Sequence, residues 1–373
     1  MNRGNVDYKG VSGESFCTLL SSYPAVAMMR RGVAMFDRSS EPFRAFRIEE
    51  DEEGEGPKGR MVDIGLSDLN EGELVVATRY SNLNYKDALA ATGKGKIAWR
   101  LPIVGGIDVA GIVETSEDPV FEPGDEVLVT GFGLSEDRDG GYSEVTRLKA
   151  GHALKVPEGL DLKRAMAIGT AGLTAALSVA RMEHNGLSPE AGPVIVTGAT
   201  GGVGSLAVDM LASRGYEVVA LTGKEGERGY LEALGASEVL LRQELEMGGR
   251  PLESARWAGA VDTVGGETLG WLTRTVKKDG RIAVCGNAGG VGFETTVMPF
   301  ILRGIDLLGI DTDWCEVETR RELWRRLAEG GDLHPRHLDE VTRTVDFDDL
   351  PDAFEAFLAG GSKGRTVVRI GGG

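Results

Sequence analysis

A chain of 373 residues is longer than one ordinary core accommodates, so two domains are expected. Its 58 acidic against 41 basic side chains give a formal net charge of −17, which repels polyphosphate backbones and leaves nucleic acid out as a partner; any anionic ligand has to find a local basic patch. Three scattered cysteines, Cys17, Cys285 and Cys315, make neither a disulfide framework nor a Cys-x-x-Cys site, so a reducing cytoplasm is expected.

Residues 1–42 read as an appendage, either a tail outside the fold or a stretch upstream of a start at Met28, Met29 or Met35. Their most apolar part, 16–29, is broken by Ser21-Ser22-Tyr23-Pro24 and lacks a basic front, so it makes a poor signal peptide. No apolar run approaches the roughly 18 residues of a membrane helix, and no membrane is expected as a partner. Strands are predicted at 43–48, 61–66, 73–80, 107–114, 125–130 and 142–149, joined by glycine turns without long helices, which describes a compact β-rich domain. The acidic run 49–55 is read as the solvated turn between the first two. A helical stretch over 162–182, interrupted by Gly169 and Gly172, then carries the chain into a second domain.

That domain opens on a motif. Val194, Ile195 and Val196 form the continuous β-branched run of a strand covered on both faces, and from Val203 the apolar residues recur at helical spacing. Between them lies Ala199-x-Gly201-x-x-Gly204, the dinucleotide fingerprint with alanine in its first place. Gly201 lets the backbone approach a pyrophosphate, Gly204 lets the helix pack closely on its strand, and the first helical turn offers free N–H groups. Such turns also join strands to helices with no nucleotide present, so the flanks decide. The next strand, 217–221, ends roughly 20 residues past the glycines, where an NAD-binding domain places an acid on the ribose 2′-hydroxyl. Here stand Thr222-Gly223-Lys224, which suit a 2′-phosphate and point to NADPH. Glu225 competes, as a neutraliser of Lys224 or a ribose acceptor, and a plain solvated lysine is the alternative.

Further strands at 238–241, 259–263, 281–285 and 305–310, with helices near Leu269 and Phe300, bring the count to six in βα alternation, a doubly wound parallel sheet. A helix over 318–327, a strand near Val345, a helix over 350–358 and a strand over 365–370 are too little to stand alone. They are expected to fold back onto the first domain, which makes the nucleotide domain an insertion. His334 and His337 sit three apart in a proline-containing loop and read as a solvated turn, so no metal is expected.

This order, with Asn84-Tyr85-Lys86-Asp87, the 102–111 string Pro-Ile-Val-Gly-Gly-Ile-Asp-Val-Ala-Gly, Gly169-Thr170-Ala171-Gly172 and the glycine turn, resembles the medium-chain dehydrogenase/reductase superfamily. Longer strings narrow it: Ser81-Asn-Leu-Asn-Tyr-Lys-Asp-Ala-Leu-Ala90, Thr92-Gly-Lys-Gly-Lys-Ile97, Trp257-Ala-Gly-Ala-Val-Asp-Thr-Val-Gly265 and Thr296-Val-Met-Pro-Phe-Ile-Leu-Arg303 resemble the zinc-free acrylyl-CoA reductase group, first described as quinone oxidoreductases. The resemblance spans 43–370. It implies an α/β chain with a Rossmann NADPH domain (169–311) inserted into a GroES-like catalytic domain (43–168 and 312–373), and a homodimer joined through the nucleotide domains. It also implies hydride transfer from NADPH to the β-carbon of an acryloyl-CoA thioester.

Hydride addition builds negative charge on the thioester carbonyl, and without zinc that charge needs hydrogen-bond donors. Tyr85 and Lys86, read as a loop facing the sheet's carboxyl edge, are the catalytic candidates. Tyr85 donates a proton, orients nicotinamide or only packs on it; Lys86 stabilises the oxyanion or only pairs with Asp87. Cofactor contacts fall to Tyr85, Thr200, Gly201, Gly202, Val203, Gly204, Thr222, Gly223 and Lys224, and by resemblance to Arg242 and Asn287. Asn84, Lys94, Lys96, Arg100, Arg303 and Arg365 are the substrate candidates, the cations for coenzyme A phosphates. A quinone or enone reductase of the same fold, and a cofactor-holding redox sensor without turnover, are the alternatives.

Overall fold

The computed structural model describes residues 41–51 and 56–371; what was expected of 1–40 and of the acidic residues 52–55 lies outside them. From the amino end come β1 (Phe43–Glu50), β2 (Pro57–Ile64), β3 (Leu74–Asn82), α1 (Tyr85–Ala91), β4 (Ile103–Val104), β5 (Asp108–Ser116), β6 (Glu126–Thr130), β7 (Val145–Leu148) and β8 (Leu154–Lys155). The first two strands are longer than their apolar pattern, and Glu49 and Glu50 belong to β1, not to the turn. Glu49 is held there by Arg47 and Arg60, so its charge is compensated within the hairpin. Tyr85 and Lys86 also differ from expectation. They open helix α1 because Asp87 accepts the Asn84 N–H at 2.9 Å and satisfies the helix's first donor.

Helix α2 (Leu162–His184) is long and apolar enough to cross a membrane, contrary to the sequence-based expectation, but most of its apolar window is buried inside the fold, as a core helix apolar on all sides must be. Asp161 caps it through the Arg164 N–H at 2.7 Å. At Gly169 its backbone turns to φ +50°, and a Cβ there would stand 2.1 Å from Asn82 Nδ2 and 2.7 Å from Asp108 Oδ2. Only glycine fits that break.

Next come β9 (Val194–Thr197), α3 (Gly202–Ser213), β10 (Val218–Thr222), α4 (Arg228–Ala233), β11 (Glu238–Leu241), β12 (Trp257–Asp262), α5 (Gly266–Thr275), β13 (Val276–Val284), α6 (Met298–Arg303) and β14 (Asp306–Gly309). They make a six-stranded, wholly parallel sheet in the order β11-β10-β9-β12-β13-β14. The order reverses between β9 and β12, which opens a crevice at the carboxyl ends of those strands. β13 starts five residues earlier than its apolar run: Val276 pairs with Trp257, the register shifts over 277–280, where Asp279 stands at φ +55°, and Arg281 resumes the ladder opposite Gly259.

The tail supplies α7 (Val317–Leu327), β15 (Thr342–Asp346), α8 (Leu350–Ala356) and β16 (Arg365–Arg369). β16 pairs antiparallel with β3, Val367 opposite Asn82, and completes a seven-stranded sheet with β15, β5, β6, β7 and β8. The last strand thus closes the first domain, and its residue Arg365 lies at the junction with the second.

Candidate active site

At the crevice the glycines do what their spacing requires. A Cβ on Gly204 would lie 2.3 Å from the Gly198 carbonyl, so α3 can pack this closely on β9 only with glycine there. Gly201 is the N-cap of α3, and the N–H groups of Gly202, Val203 and Gly204 in the first turn have no intrahelical acceptor. A cleft of about 290 Å³ opens beside them, lined by Thr200, Thr222, Gly223, Lys224, Arg242 and Thr268 among others. Thr200 and Thr222 face each other, Oγ1 to Oγ1, at 3.4 Å. Arg242 stands against Gly223, its guanidinium 3.7 Å from where a Cβ would be, and among the described residues its side chain has no hydrogen-bond or ion-pair partner. Lys224 bonds not to Glu225 but to the carbonyl of Ser362 on the returning tail. Burial lowers its pKa. Asn287 is exposed on the loop after β13, its Cα 3.3 Å from a Cβ placed on Gly265.

A second group gathers around α1. Asp108 accepts from Asn82 Nδ2 at 2.7 Å, Asn84 Nδ2 at 3.3 Å and Thr170 N at 2.8 Å; Asp87 accepts from the Ile107 N–H at 2.9 Å as well as from Asn84. Burial pushes the Asp87 carboxyl up to about 7, and the Asp108 charge adds to it. A folded-state pKa raised above the unfolded value contributes stability that is complete below about pH 4 and lost as pH rises through 7. Urea unfolding should therefore give wild-type protein a fall in stability of roughly 4 kcal/mol from this group over that window, and Asp87→Asn should lack it. Equal pH slopes for the two proteins would refute the assignment.

Tyr85 is 47% exposed at the start of α1. Lys86 does not pair with Asp87, as one sequence alternative had it. It binds Glu136 and lies 3.6 Å from Asp313, on the loop that follows β14. Burial opposes its charge, but those two carboxylates outweigh burial and raise its pKa. Glu136 and Asp313 escaped the sequence analysis because each comes from a separate loop with no motif of its own.

The cations assigned to the substrate separate into two sets. Lys94 and Lys96 are exposed just past α1, with no partner among the described residues. The others are occupied. Arg100 donates to Asp139, Asn70 and the carbonyls of Asp137 and Pro102; Arg303 donates to the carbonyls of Glu253, Arg274 and Val276. Arg365 is only 2% exposed and donates to Ala167 O at 2.8 Å and Asn84 Oδ1 at 3.3 Å, with its Nη2 unpartnered. Its Nη1 would stand 2.8 Å from a Cβ on Gly202. The structure therefore puts Arg365 behind the glycine turn and away from an open substrate mouth.

The chain matches the family described as "Alcohol dehydrogenase GroES-like domain" over residues 70–158 and "Zinc-binding dehydrogenase" over 202–329. Among the described residues no three His, Cys, Asp or Glu side chains converge as metal ligands, so the residues present do not fit a zinc ion. His334 contacts Leu327 O at 2.8 Å and His337 contacts Asp209 at 3.2 Å. The chain is 46% identical to a probable acrylyl-CoA reductase of Escherichia coli over 82% of its length and 93% of that protein. It is 44% identical to an acrylyl-CoA reductase of Ruegeria pomeroyi (88% and 99%) and 45% identical to a putative quinone oxidoreductase of Bacillus subtilis (82% and 93%). The yhdH oxidoreductase of Salmonella enterica, solved in complex with NADP, superposes with a TM-score of 0.84 at 42% identity, over 88% of this chain and all of that one. The Bacillus protein, solved with NAD bound, gives 0.84 at 43%, with the same coverage.

Proposed function

This chain belongs to the quinone oxidoreductase-like, zinc-free branch of the medium-chain dehydrogenase/reductase superfamily, and on that premise we propose that it is an NADPH-dependent reductase of the carbon–carbon double bond of acryloyl-CoA or a related short enoyl thioester. The observation that carries the cofactor choice is the pair of cations, Lys224 and Arg242, on either side of Gly223 where an acid would mark an NAD site. The 43–168 and 312–373 segments form the catalytic part and 169–311 the cofactor domain in this proposal. The unpaired N–H groups of Gly202, Val203 and Gly204 take the pyrophosphate, with Thr200 and Thr222 beside the ribose and Asn287 toward the nicotinamide end.

NADPH supplies the hydride. The chain supplies the rest. Addition to the β-carbon moves negative charge onto the thioester oxygen; Lys86, next to the exposed Tyr85, is kept cationic by Glu136 and Asp313, and its ammonium has three donors, which leaves one for that charge. Tyr85 orients the reactants or gives the α-carbon its proton, and Asn84, tied to Asp108 and Arg365, fixes the start of α1. Lys94 and Lys96 are the cations left for coenzyme A phosphates.

NADPH oxidation should be faster, as kcat/KM, with acryloyl-CoA than with benzoquinone by at least tenfold. Preference for the quinone would install the quinone oxidoreductase reading that the Bacillus relative's name favours, and no turnover with any acceptor would leave a cofactor-holding sensor. Exposed Ile301 and Leu302 on α6 and Leu307 on the edge strand β14 support a homodimer through the cofactor domains, which sedimentation velocity would report as a two-chain species. The free thiols of Cys285 and Cys315 fit a reducing cytoplasm.

A further inference from the structure

Two indoles stand in solvent beside the catalytic candidates. Trp99 is 79% exposed and Trp314 57%, whereas Trp257, Trp271 and Trp324 are buried. Each indole projects from a loop, Trp99 after α1 and Trp314 after β14, and a large amphipathic ring left in solvent offers a face for docking. Their loops come from different parts of the chain and meet at one ion cluster. The Trp99 main-chain N–H donates to the Glu136 carbonyl at 2.7 Å, and the Glu136 side chain binds Lys86. Lys86 in turn lies 3.6 Å from Asp313, the neighbour of Trp314. Trp314 follows the carboxyl end of β14, the edge at which doubly wound sheets bind ligands.

The Trp314 loop is braced from below. Arg320, 1% exposed, donates to the Asp313 carbonyl at 3.1 Å and Thr130 Oγ1 at 2.7 Å, and lies 4.1 Å over the Phe132 ring. Phe132 meets Trp314 edge-on at 6.2 Å. The indole is thus held out on a rigid support, so little ordering remains to be done on binding. On the same loop as Trp99, separated from it by two residues or four, Lys96 and Lys94 carry charges without partners among the described residues.

We propose that Trp99 and Trp314 form a clamp for the coenzyme A portion of the substrate, stacking on its adenine while Lys94 and Lys96 meet its phosphates. A purine offers a π-face to an indole, and its phosphates need cations on an otherwise acidic protein. The clamp rests on the thioester reading above. It makes the site selective for coenzyme A esters over quinones through binding, with no part in the chemical step.

The test uses the NADPH-loaded enzyme with acryloyl-CoA and with the acryloyl thioester of N-acetylcysteamine, which carries the same reacting atoms and no nucleotide. Trp99→Ala and Trp314→Ala should each raise KM for acryloyl-CoA about tenfold with kcat within twofold, and shift kcat/KM for the short thioester less than twofold. Lys94→Gln/Lys96→Gln should flatten the salt dependence of KM for acryloyl-CoA. An unchanged KM in both tryptophan variants, or an equal loss with both thioesters, would overturn the clamp. If wild-type enzyme reduces neither thioester, the thioester reading fails first and takes the clamp with it. If it reduces both and the variants match it, the clamp alone is wrong.

Discussion

Arg365→Met lowers the unfolding free energy by roughly 3–5 kcal/mol, the range expected when one member of a buried charge group is removed. The guanidinium is buried between the Asn84 turn, the break in α2 and the glycine turn of α3. Burial pulls its pKa down, and the charges of Asp108 and Asp87 oppose that pull. Methionine fills much of the volume but removes the buried positive charge that Asp108 and Asp87 act on. It also frees the Ala167 carbonyl and Asn84 Oδ1 of their donor. Because Asn84 begins α1 and Gly202 begins α3, the same change should loosen the start of the catalytic helix and weaken the dinucleotide. Urea unfolding and a fluorescence titration with NADPH measure the two effects. A loss below about 1 kcal/mol would mean that the carboxylates are neutralised by other means.

The second large effect concerns cofactor choice. Lys224→Gln combined with Arg242→Gln should cut kcat/KM for NADPH by at least a hundredfold, since each charge-assisted bond to a phosphate is worth about 1.5–3 kcal/mol. The value for NADH should change less than threefold. The ratio is the informative quantity, because a relative 45% identical has been solved with NAD bound. Lys224 already bonds to Ser362 O, but an ammonium has three donors and can keep that contact while meeting a phosphate. The two residues touch one group, so the double variant is expected to lose less than the product of the single losses. Equal losses with NADPH and NADH would mean that the two cations support the adenosine cleft and do not read the 2′-phosphate.

Much of this molecule is legible in its sequence because its cues are local. The β-branched run of β9 and the 199–204 glycines mark the crevice, and Lys224, in place of an acid after β10, is the local cue on which the proposed choice of NADPH rests. The return of the tail onto β3 follows from its being too short to bury a core alone. The structure departs from the local pattern where charge and backbone disagree with it. In the sequence Tyr85 and Lys86 read as a loop because the capping acceptor, Asp87, lies inside the helix it starts.

The sequence by itself determined the order of the β-rich and parallel-sheet parts and the close glycine turn between β9 and α3, since strand and helix periods and the demands of a close backbone turn are properties of neighbours along the chain. Only the tertiary structure decided which charges are free. Arg100, Arg303 and Arg365 look as available in the sequence as Lys94 and Lys96, yet carbonyls, carboxylates and amides far away in the chain occupy the first three. Glu136 and Asp313 become Lys86's partners the same way. The physical reason is that a side chain's partner is set by distance in space, and a fold brings together atoms that no sequence spacing relates.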